Sequence, residues 1–187
     1  TTIETGGQNL LDGLENMLED LERGGGQLKI KMTDMEAFEL GKNIATTPGK
    51  VVYQNDLIQL IQYTPTTEEV ARRPLLIIPP WINKFYILDL QPKNSFIKFC
   101  VDLGHTVFVI SWVNPDERHR NKGWDDYVTE GPLAALEAME KATGEREANV
   151  IGYCAGGTLL ATTLGYMAAV TDRRFTSATF FTSIMDL

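Results

Sequence analysis

A short apolar segment that runs into a cysteine flanked by glycines constrains the fold of this chain more than any other feature. Residues 148–151 form a buried-strand pattern, Gly152 and Gly156 flank Cys154, and residues 158–170 continue as a long apolar helical pattern. A strand, a tight turn that holds the nucleophile between two glycines, and a helix make up the nucleophile elbow, where esterases carry serine. The sequence therefore predicts that Cys154 is a catalytic nucleophile at a strand-to-helix turn.

The turn of such an elbow is strained, and Cβ atoms on its neighbours would clash. We therefore expect Gly152, Gly156 and Gly157 to permit close backbone approach. The helix beyond Cys154 would direct its N-terminal amides and positive dipole end at the sulfur, which favours the thiolate. The alternative is a buried cysteine in an ordinary turn. Because glycine makes up about 7% of average sequence, two flanking glycines arise by chance for about one cysteine in 200.

The composition indicates a soluble globular protein and argues against several classes of function. The chain has 187 residues, 43% of them hydrophobic and 22% charged, which suffices for one sizeable core. Its net charge of -8 argues against nucleic-acid binding, which requires a basic face. No apolar run reaches the roughly 18 residues of a membrane span. Cys100 and Cys154 do not indicate a disulfide framework, so we expect a protein of the reducing cytosol.

Residues 1–48 are predicted to be the end of a helical N-terminal domain. Apolar residues fall at helical spacing, with acidic residues on the opposite face, until Gly24-Gly25-Gly26 ends the helix. A second helix is predicted from Thr33 or Asp34, either of which can cap it, to Gly41. Pro48-Gly49 indicates a turn, where we place the domain boundary. The apolar positions of the first helix are Leu10, Leu11, Leu14, Met17, Leu18 and Leu21.

From residue 49 onward, strands alternate with helices, which predicts an α/β domain. Residues 51–53 and 58–63 flank Asn55-Asp56 as a hairpin, and the continuously apolar residues 75–78 fit a parallel strand buried on both faces. Such βαβ units predict a mostly parallel, doubly wound sheet in residues 49–187. The other predicted strands are 106–110, 149–151 and 178–182, and the predicted helices are 96–103, 125–144 (broken at Gly131-Pro132) and 158–170.

Several segments carry a family resemblance. Residues 152–158 resemble the cysteine-containing lipase-like box of polyhydroxyalkanoate synthases, which belong to the α/β-hydrolase superfamily. Tyr153 and Thr158 make the box most similar to that of class I synthases. The resemblance extends from about residue 32 to the end of the chain, and the order of its segments makes it strong. The other similar segments are residues 47–49, 59–64, 78–90, 104–108, 111–116 and 124–127.

The resemblance implies a reaction in which Cys154 is acylated by a 3-hydroxyacyl-CoA, in class I enzymes typically 3-hydroxybutyryl-CoA. The hydroxyl group of one unit then attacks the thioester of another, so a polyester grows and CoA is released. No metal or cofactor is implied, because the CoA thioester is itself the substrate. The partners implied are the growing polyester, the surface of cytoplasmic polyester granules and a second copy in a homodimer.

Two backbone N–H groups are expected to hold the oxyanion of this reaction. One belongs to Ala155, the residue after the nucleophile, and the other to the loop after the third strand. That loop contains Trp81, Ile82 and Asn83, of which we favour Ile82 as the donor. Trp81 and Asn83 either line the substrate site or serve loop packing and an Asx-type turn.

The acid and the base of a catalytic triad are not expected in this chain. In this fold they follow the nucleophile, whereas His105 and His119 both precede Cys154. Asp172 and Asp186 come too early to be the acid. We therefore interpret residues 49–187 as the first part of a catalytic domain, ending after the strand that follows the nucleophile helix and inactive by itself.

Two other functions remain open at this stage. The elbow alone also fits another cysteine hydrolase of the same fold, such as a dienelactone-hydrolase-like enzyme or a thioesterase. A non-catalytic module that binds a granule or a partner through its acidic helices is the second alternative. Arg118, Arg120 and Lys122 either contact CoA phosphates or form an ordinary solvated loop.

Overall fold

The computed structural model describes residues 1–34 and 36–185. The chain divides into two compact units, Thr1–Glu39 and Leu40–Leu187. None of the helices in these described ranges is both long and apolar enough to cross a membrane.

The first unit contains one long helix, α1 (Gln8–Arg23), as predicted. It ends at Gly24, and the Gly26 N–H donates to the Leu21 carbonyl at 2.9 Å, since Gly25 and Gly26 adopt positive φ angles. No residue of α1 is buried within the described structure. Its exposed apolar side chains are Leu10, Leu11, Leu14, Met17 and Leu18, each 45–63% accessible.

The predicted second helix is wrong. Residues 33–34 and 36–41 form bends, turns and an isolated bridge between Leu40 and Ile44; Met35 lies outside the described residues. The Asp34 carboxylate accepts a hydrogen bond from the Glu36 N–H at 3.0 Å, so the side chain supports a local turn. Phe38 and Leu40 are more than 60% exposed. A segment this short is not helical without tertiary packing to stabilise it.

The second unit is a six-stranded sheet covered by helices on both faces. The strand order is β1-β2-β4-β3-β5-β6. Strands β4, β3, β5 and β6 run parallel to one another, whereas β2 is antiparallel to both β1 and β4. The elements are β1 (Gly49–Gln54), β2 (Ile58–Tyr63), β3 (Leu75–Ile78), α2 (Phe96–Asp102), β4 (Val107–Trp112), α3 (Trp124–Val128), α4 (Ala134–Thr143), β5 (Ala148–Tyr153), α5 (Ala155–Ala169) and β6 (Phe175–Phe181).

Successive residues of the central strands enter two different cores. Leu76 of β3 packs with α4 and α5, whereas Ile77 packs with α2 on the other face. Ile77 and Val109 are fully buried, and every residue of β3 is buried. The predictions of a hairpin, of a doubly wound sheet and of its buried central strands are therefore confirmed.

The predicted break at Gly131-Pro132 takes the form of a π-helical segment, Thr129–Leu133, between α3 and α4. Pro132 lacks the N–H that an α-helix needs at this position, and a π-segment accommodates that loss. A Cβ atom at Gly131 would lie 2.7 Å from Cη2 of Trp112, so glycine allows the segment to pack directly on that ring.

The residues just before β1 are held by Asp89, which lies in the segment between β3 and α2 and is 1% exposed. Its carboxylate accepts hydrogen bonds from the Thr47 hydroxyl at 2.6 Å and the Thr47 N–H at 3.2 Å, and its carbonyl accepts from the Ala45 N–H at 2.9 Å. Burial, followed by the Asp89 charge, raises the pKa of the nearby Tyr63. The predicted boundary after residue 48 thus falls inside the second unit, and a separate helical domain of residues 1–48 stays a prediction.

Candidate active site

Cys154 lies between the last residue of β5 and the first of α5, with φ 54° and ψ -124°. A residue other than glycine adopts this conformation at a cost of about 1–3 kcal/mol, which the surrounding structure must offset. The Cys154 N–H donates to the Phe181 carbonyl of β6 at 2.9 Å, and its carbonyl accepts from the Gly157 and Thr158 N–H groups at 2.9 and 3.2 Å. These bonds hold the residue in a strained turn while it remains exposed.

The three elbow glycines lie where a side chain would not fit. A Cβ at Gly152 would come within 2.6 Å of the Gly157 Cα, and a Cβ at Gly156 within 2.2 Å of the Ile78 carbonyl oxygen. At Gly157 it would lie 1.7 Å from the Ser183 hydroxyl oxygen. Contacts below about 3 Å force movement, and two of these three obstacles are backbone atoms. The turn is thus compressed between the end of β3, the start of α5 and the segment after β6.

The first turn of α5 offers a backbone donor beside the nucleophile. The first amides of a helix have no acceptor within the helix, which leaves the Ala155 N–H available to a ligand oxygen. Because α5 spans 15 residues, its dipole also places partial positive charge at this end.

The loop after β3 lies at the same sheet edge as Cys154. Ile78 pairs with Gly152 in parallel register, so the chain leaves both strands at their carboxyl ends. Trp81 is half-buried, whereas Ile82 is 75% exposed and Asn83 is exposed. The structure thus brings Trp81, Ile82 and Asn83 to the edge where the elbow lies.

All three tryptophans of the chain meet in one cluster at this edge, which sequence reasoning missed. The Trp81 ring centroid lies 5.7 Å from that of Trp112, 5.7 Å from that of Trp124 and 5.2 Å from that of Tyr127. The Trp112 Nε1–H donates to the Pro79 carbonyl at 2.8 Å. A signal was present, because Trp81 and Trp112 each follow the carboxyl end of a predicted strand.

The positions of the two histidines do not support either as a catalytic base. His105 precedes β4 and therefore lies at the sheet edge opposite Cys154. The His119 ring contacts the Asp116 carboxylate through Nδ1 at 3.0 Å and the Asp56 carbonyl through Nε2 at 3.1 Å. Asp172 precedes β6 and binds Arg174 at 2.7 Å. Asp186 lies outside the described residues.

The basic loop after β4 is balanced by carboxylates. Arg118 binds Asp116 at 2.8 Å, Arg120 binds Glu117 at 2.7 Å, and Lys122 binds Glu130 at 2.5 Å. The hydrogen bonds from Arg118 lower the pKa of Asp116 to about 2. Arg118, His119 and Lys122 line a cavity of about 390 Å³ together with the β1–β2 turn. These pairings favour an ordinary surface loop over a site for CoA phosphates.

The two cysteines differ in environment, which predicts selective alkylation. Burial raises the pKa of Cys100 to about 11, whereas Cys154 is exposed. At pH 8 roughly one Cys100 thiol in a thousand is ionised, so it should react far more slowly. Iodoacetamide should modify Cys154 alone in the native protein, as peptide mass mapping would show. Both should react in denaturant, and equal native labelling would contradict the prediction.

The strand order, the doubly wound parallel core and the cysteine at a strained strand-to-helix turn define an α/β-hydrolase-type fold, as predicted. Two solved structures share this fold, each at a TM-score of 0.50. One is a probable hydrolytic enzyme of Pseudomonas aeruginosa PAO1, which is 16% identical over 73% of this chain and 42% of that chain. The other is a membrane phospholipase A, which is 14% identical over 74% of this chain and 40% of that chain. At these identities the likeness shows the fold alone.

The chain belongs to the polyhydroxyalkanoate synthase family, since residues 1–100 match the family model of the poly-beta-hydroxybutyrate polymerase (PhaC) N-terminus. It is 58% identical, over 99% of its length, to a poly(3-hydroxyalkanoate) polymerase of Methylorubrum extorquens. It is also 46% identical, over 98% of its length, to the polymerase subunit PhaC of Cupriavidus necator. The chain spans 31% of the length of each of these relatives. The family predicted from the sequence is confirmed.

Proposed function

We propose that this chain supplies the nucleophile and the oxyanion hole of a poly(3-hydroxyalkanoate) polymerase that uses (R)-3-hydroxyacyl-CoA, with 3-hydroxybutyryl-CoA as the preferred substrate. The observation that carries the proposal is the exposed Cys154 at φ 54° between β5 and α5. Strained backbone of this kind persists where the surrounding structure enforces it, and it is concentrated at active sites.

In the proposed reaction the Cys154 thiolate attacks the carbonyl carbon of the substrate thioester. The bond from that carbon to the CoA sulfur breaks, CoA leaves as a thiol after taking up a proton, and an acyl-Cys154 thioester forms. The 3-hydroxyl oxygen of another unit then attacks the carbonyl carbon of an acyl thioester and loses its proton to a base. As the ester bond forms, the bond from that carbon to sulfur breaks, and the departing thiolate takes up the proton from the base. Cysteine suits these steps because it is a good nucleophile even when partly ionised. The base and its acid partner are proposed to lie outside these 187 residues.

The Ala155 and Ile82 N–H groups are proposed to hold the oxyanion. Support comes from the contact of Gly156 with the end of β3, which joins the first turn of α5 to the chain segment leading to Ile82. Both donors then belong to elements that are packed against each other. Trp81 and Asn83, on either side of Ile82, are the proposed lining of the acyl site.

We also propose that the protein acts in the cytoplasm as a homodimer at the surface of polyester granules. Support comes from the first unit, where five apolar side chains of α1 are exposed on an otherwise acidic helix. An exposed apolar patch of this kind is typical of an interaction surface. The same exposed side chains support a second proposal, that this unit binds a partner.

The deciding experiment incubates the full-length polymerase with 3-hydroxybutyryl-CoA and locates the acyl group by peptide mass. We expect a 3-hydroxybutyryl adduct on Cys154 and CoA release coupled to polymer. CoA release coupled to free 3-hydroxybutyrate would identify a thioesterase instead. An adduct on Cys100, or no CoA release, would overturn the proposal.

A further inference from the structure

We propose that Trp81 is a positioning residue: its ring, held by Trp112, Trp124 and Tyr127, fixes the backbone of the loop after β3 and thereby aims the Ile82 N–H at the oxyanion. We call these four rings the aromatic brace. The inference rests on the proposed function, because it assumes that Ile82 is an oxyanion donor.

The Trp81 ring is in contact with three other aromatic rings. It meets Trp112 and Trp124 edge to face, with interplanar angles of 80° and 75°, and Tyr127 at 52°. Aromatic pairs favour such geometry at centroid separations of about 4.5–7 Å. Trp112 and Tyr127 also contact each other at 5.5 Å, which closes the cluster. Rotation of the Trp81 side chain would therefore break three contacts together.

Trp112 ties the brace to the backbone of the same loop. Its Nε1–H donates to the Pro79 carbonyl at 2.8 Å. Gly131 lets the π-helical segment close on the other side of this ring, since a Cβ there would lie 2.7 Å from Cη2. The Pro79 carbonyl oxygen in turn lies against Gly156 of the elbow, 2.8 Å from where its Cβ would be. The start of the loop, at Pro79, is thus held between Gly156 of the elbow and Trp112 of the aromatic brace.

The Ile82 N–H belongs to the peptide group that begins with the Trp81 carbonyl. Its direction is therefore set by the backbone torsions of Trp81. Ile82 itself contributes little to holding this peptide, because its side chain is 75% exposed. Beyond it, Lys84 is hydrogen-bonded to Asn114 at the surface. The half-buried Trp81 ring therefore anchors the residue directly before the proposed donor.

An oxyanion donor works only when it is aimed in advance at the position of the developing charge. A displacement of about 1 Å can lower a rate by about 10²-fold. Loss of the Trp81 ring should therefore lower the rate of Cys154 acylation more than substrate binding. A residue that merely lined the substrate pocket would instead mainly raise KM.

The test compares Trp81→Ala, Trp81→Phe and Trp112→Phe in the full-length polymerase with 3-hydroxybutyryl-CoA. We expect Trp81→Ala to lower kcat by about 10- to 100-fold, with a smaller rise in KM because Trp81 is also proposed to line the acyl site. Trp81→Phe should retain most of the wild-type kcat, since it keeps a ring in the brace. Trp112→Phe retains a ring but removes the hydrogen bond to the Pro79 carbonyl. Its kcat should therefore lie between those of Trp81→Ala and Trp81→Phe.

Alkylation of Cys154 by iodoacetamide is the internal control, because it forms no oxyanion and should proceed unchanged in all three variants. Phe99→Ala removes an exposed ring that stacks on Phe96 of α2, outside the brace, and should leave kcat unchanged. If Trp81→Ala does not fold, the kcat, KM and alkylation rate of Trp81→Phe and Trp112→Phe test the inference instead.

Three results would overturn the inference: an unchanged kcat, a raised KM with kcat retained, or an equal loss of acylation and alkylation. The last result would indicate that the rings only support the elbow. Failure of the proposed function is distinguishable, because the unmodified enzyme would then form no acyl adduct on Cys154.

Discussion

Replacing Cys154 by alanine in the full-length polymerase is expected to abolish both acylation and polymer formation. The only other cysteine of the chain, Cys100, is buried, and its pKa is raised to about 11. Removing a catalytic nucleophile lowers kcat on the order of 10⁶-fold. CoA release from 3-hydroxybutyryl-CoA and polymer yield would measure the loss. Cys154→Ser should retain only a trace of activity, because an alkoxide is harder to generate than a thiolate.

Cys100→Ala is the matched control, since it removes a thiol from α2 and leaves the elbow unchanged. We expect polymerisation to persist, with at most a modest loss of stability from the small cavity created. Full activity of Cys154→Ala, or loss of activity in Cys100→Ala without loss of folding, would contradict the assignment of the nucleophile.

Gly156→Val is expected to lower the turnover rate severely even though the Cys154 thiol remains. The new Cβ would lie 2.2 Å from the Ile78 carbonyl oxygen and 2.8 Å from that of Pro79. Since both obstacles are backbone atoms, α5 must move away from β3. That movement separates Ala155 from the loop that carries Ile82, and loss of one oxyanion donor typically costs about 10²–10³-fold in rate. Overpacking should also destabilise the fold by about 1–3 kcal/mol or more.

Gly165 offers a control on the same helix, because a Cβ there would meet nothing within 4 Å. Gly165→Ala should leave the turnover rate unchanged and stabilise the helix by about 0.5–1 kcal/mol. Turnover and thermal unfolding of both variants would separate the steric effect at the elbow from a general effect of substitution in α5. Normal turnover by Gly156→Val would show that close approach at the elbow is not required.

Much of the α/β unit follows from patterns within short stretches of sequence. The continuous apolar run of β3 can be buried on both faces only in the middle of a sheet that is covered twice. The glycines around Cys154 exclude side chains from the turn, and the strand and helix patterns on either side leave little choice of conformation. Such features act over a few residues, so the family, the fold class and the position of the elbow were readable from the chain alone.

Other features depend on partners that are distant in sequence. Asp34 and its neighbours have a helical pattern, yet the Asp34 carboxylate accepts the Glu36 N–H in a local turn, and the Phe38 and Leu40 side chains stay exposed instead of packing in a core. Asp89 is buried because Thr47, 42 positions earlier, satisfies its carboxylate. The aromatic brace joins Trp81 to rings 31–46 positions later in the chain, which meet only after β3 and β4 have paired and α3 has packed. Local patterning therefore determined where the nucleophile lies, and tertiary packing decided what surrounds it, because burial and ring contacts are properties of the assembled sheet and helices.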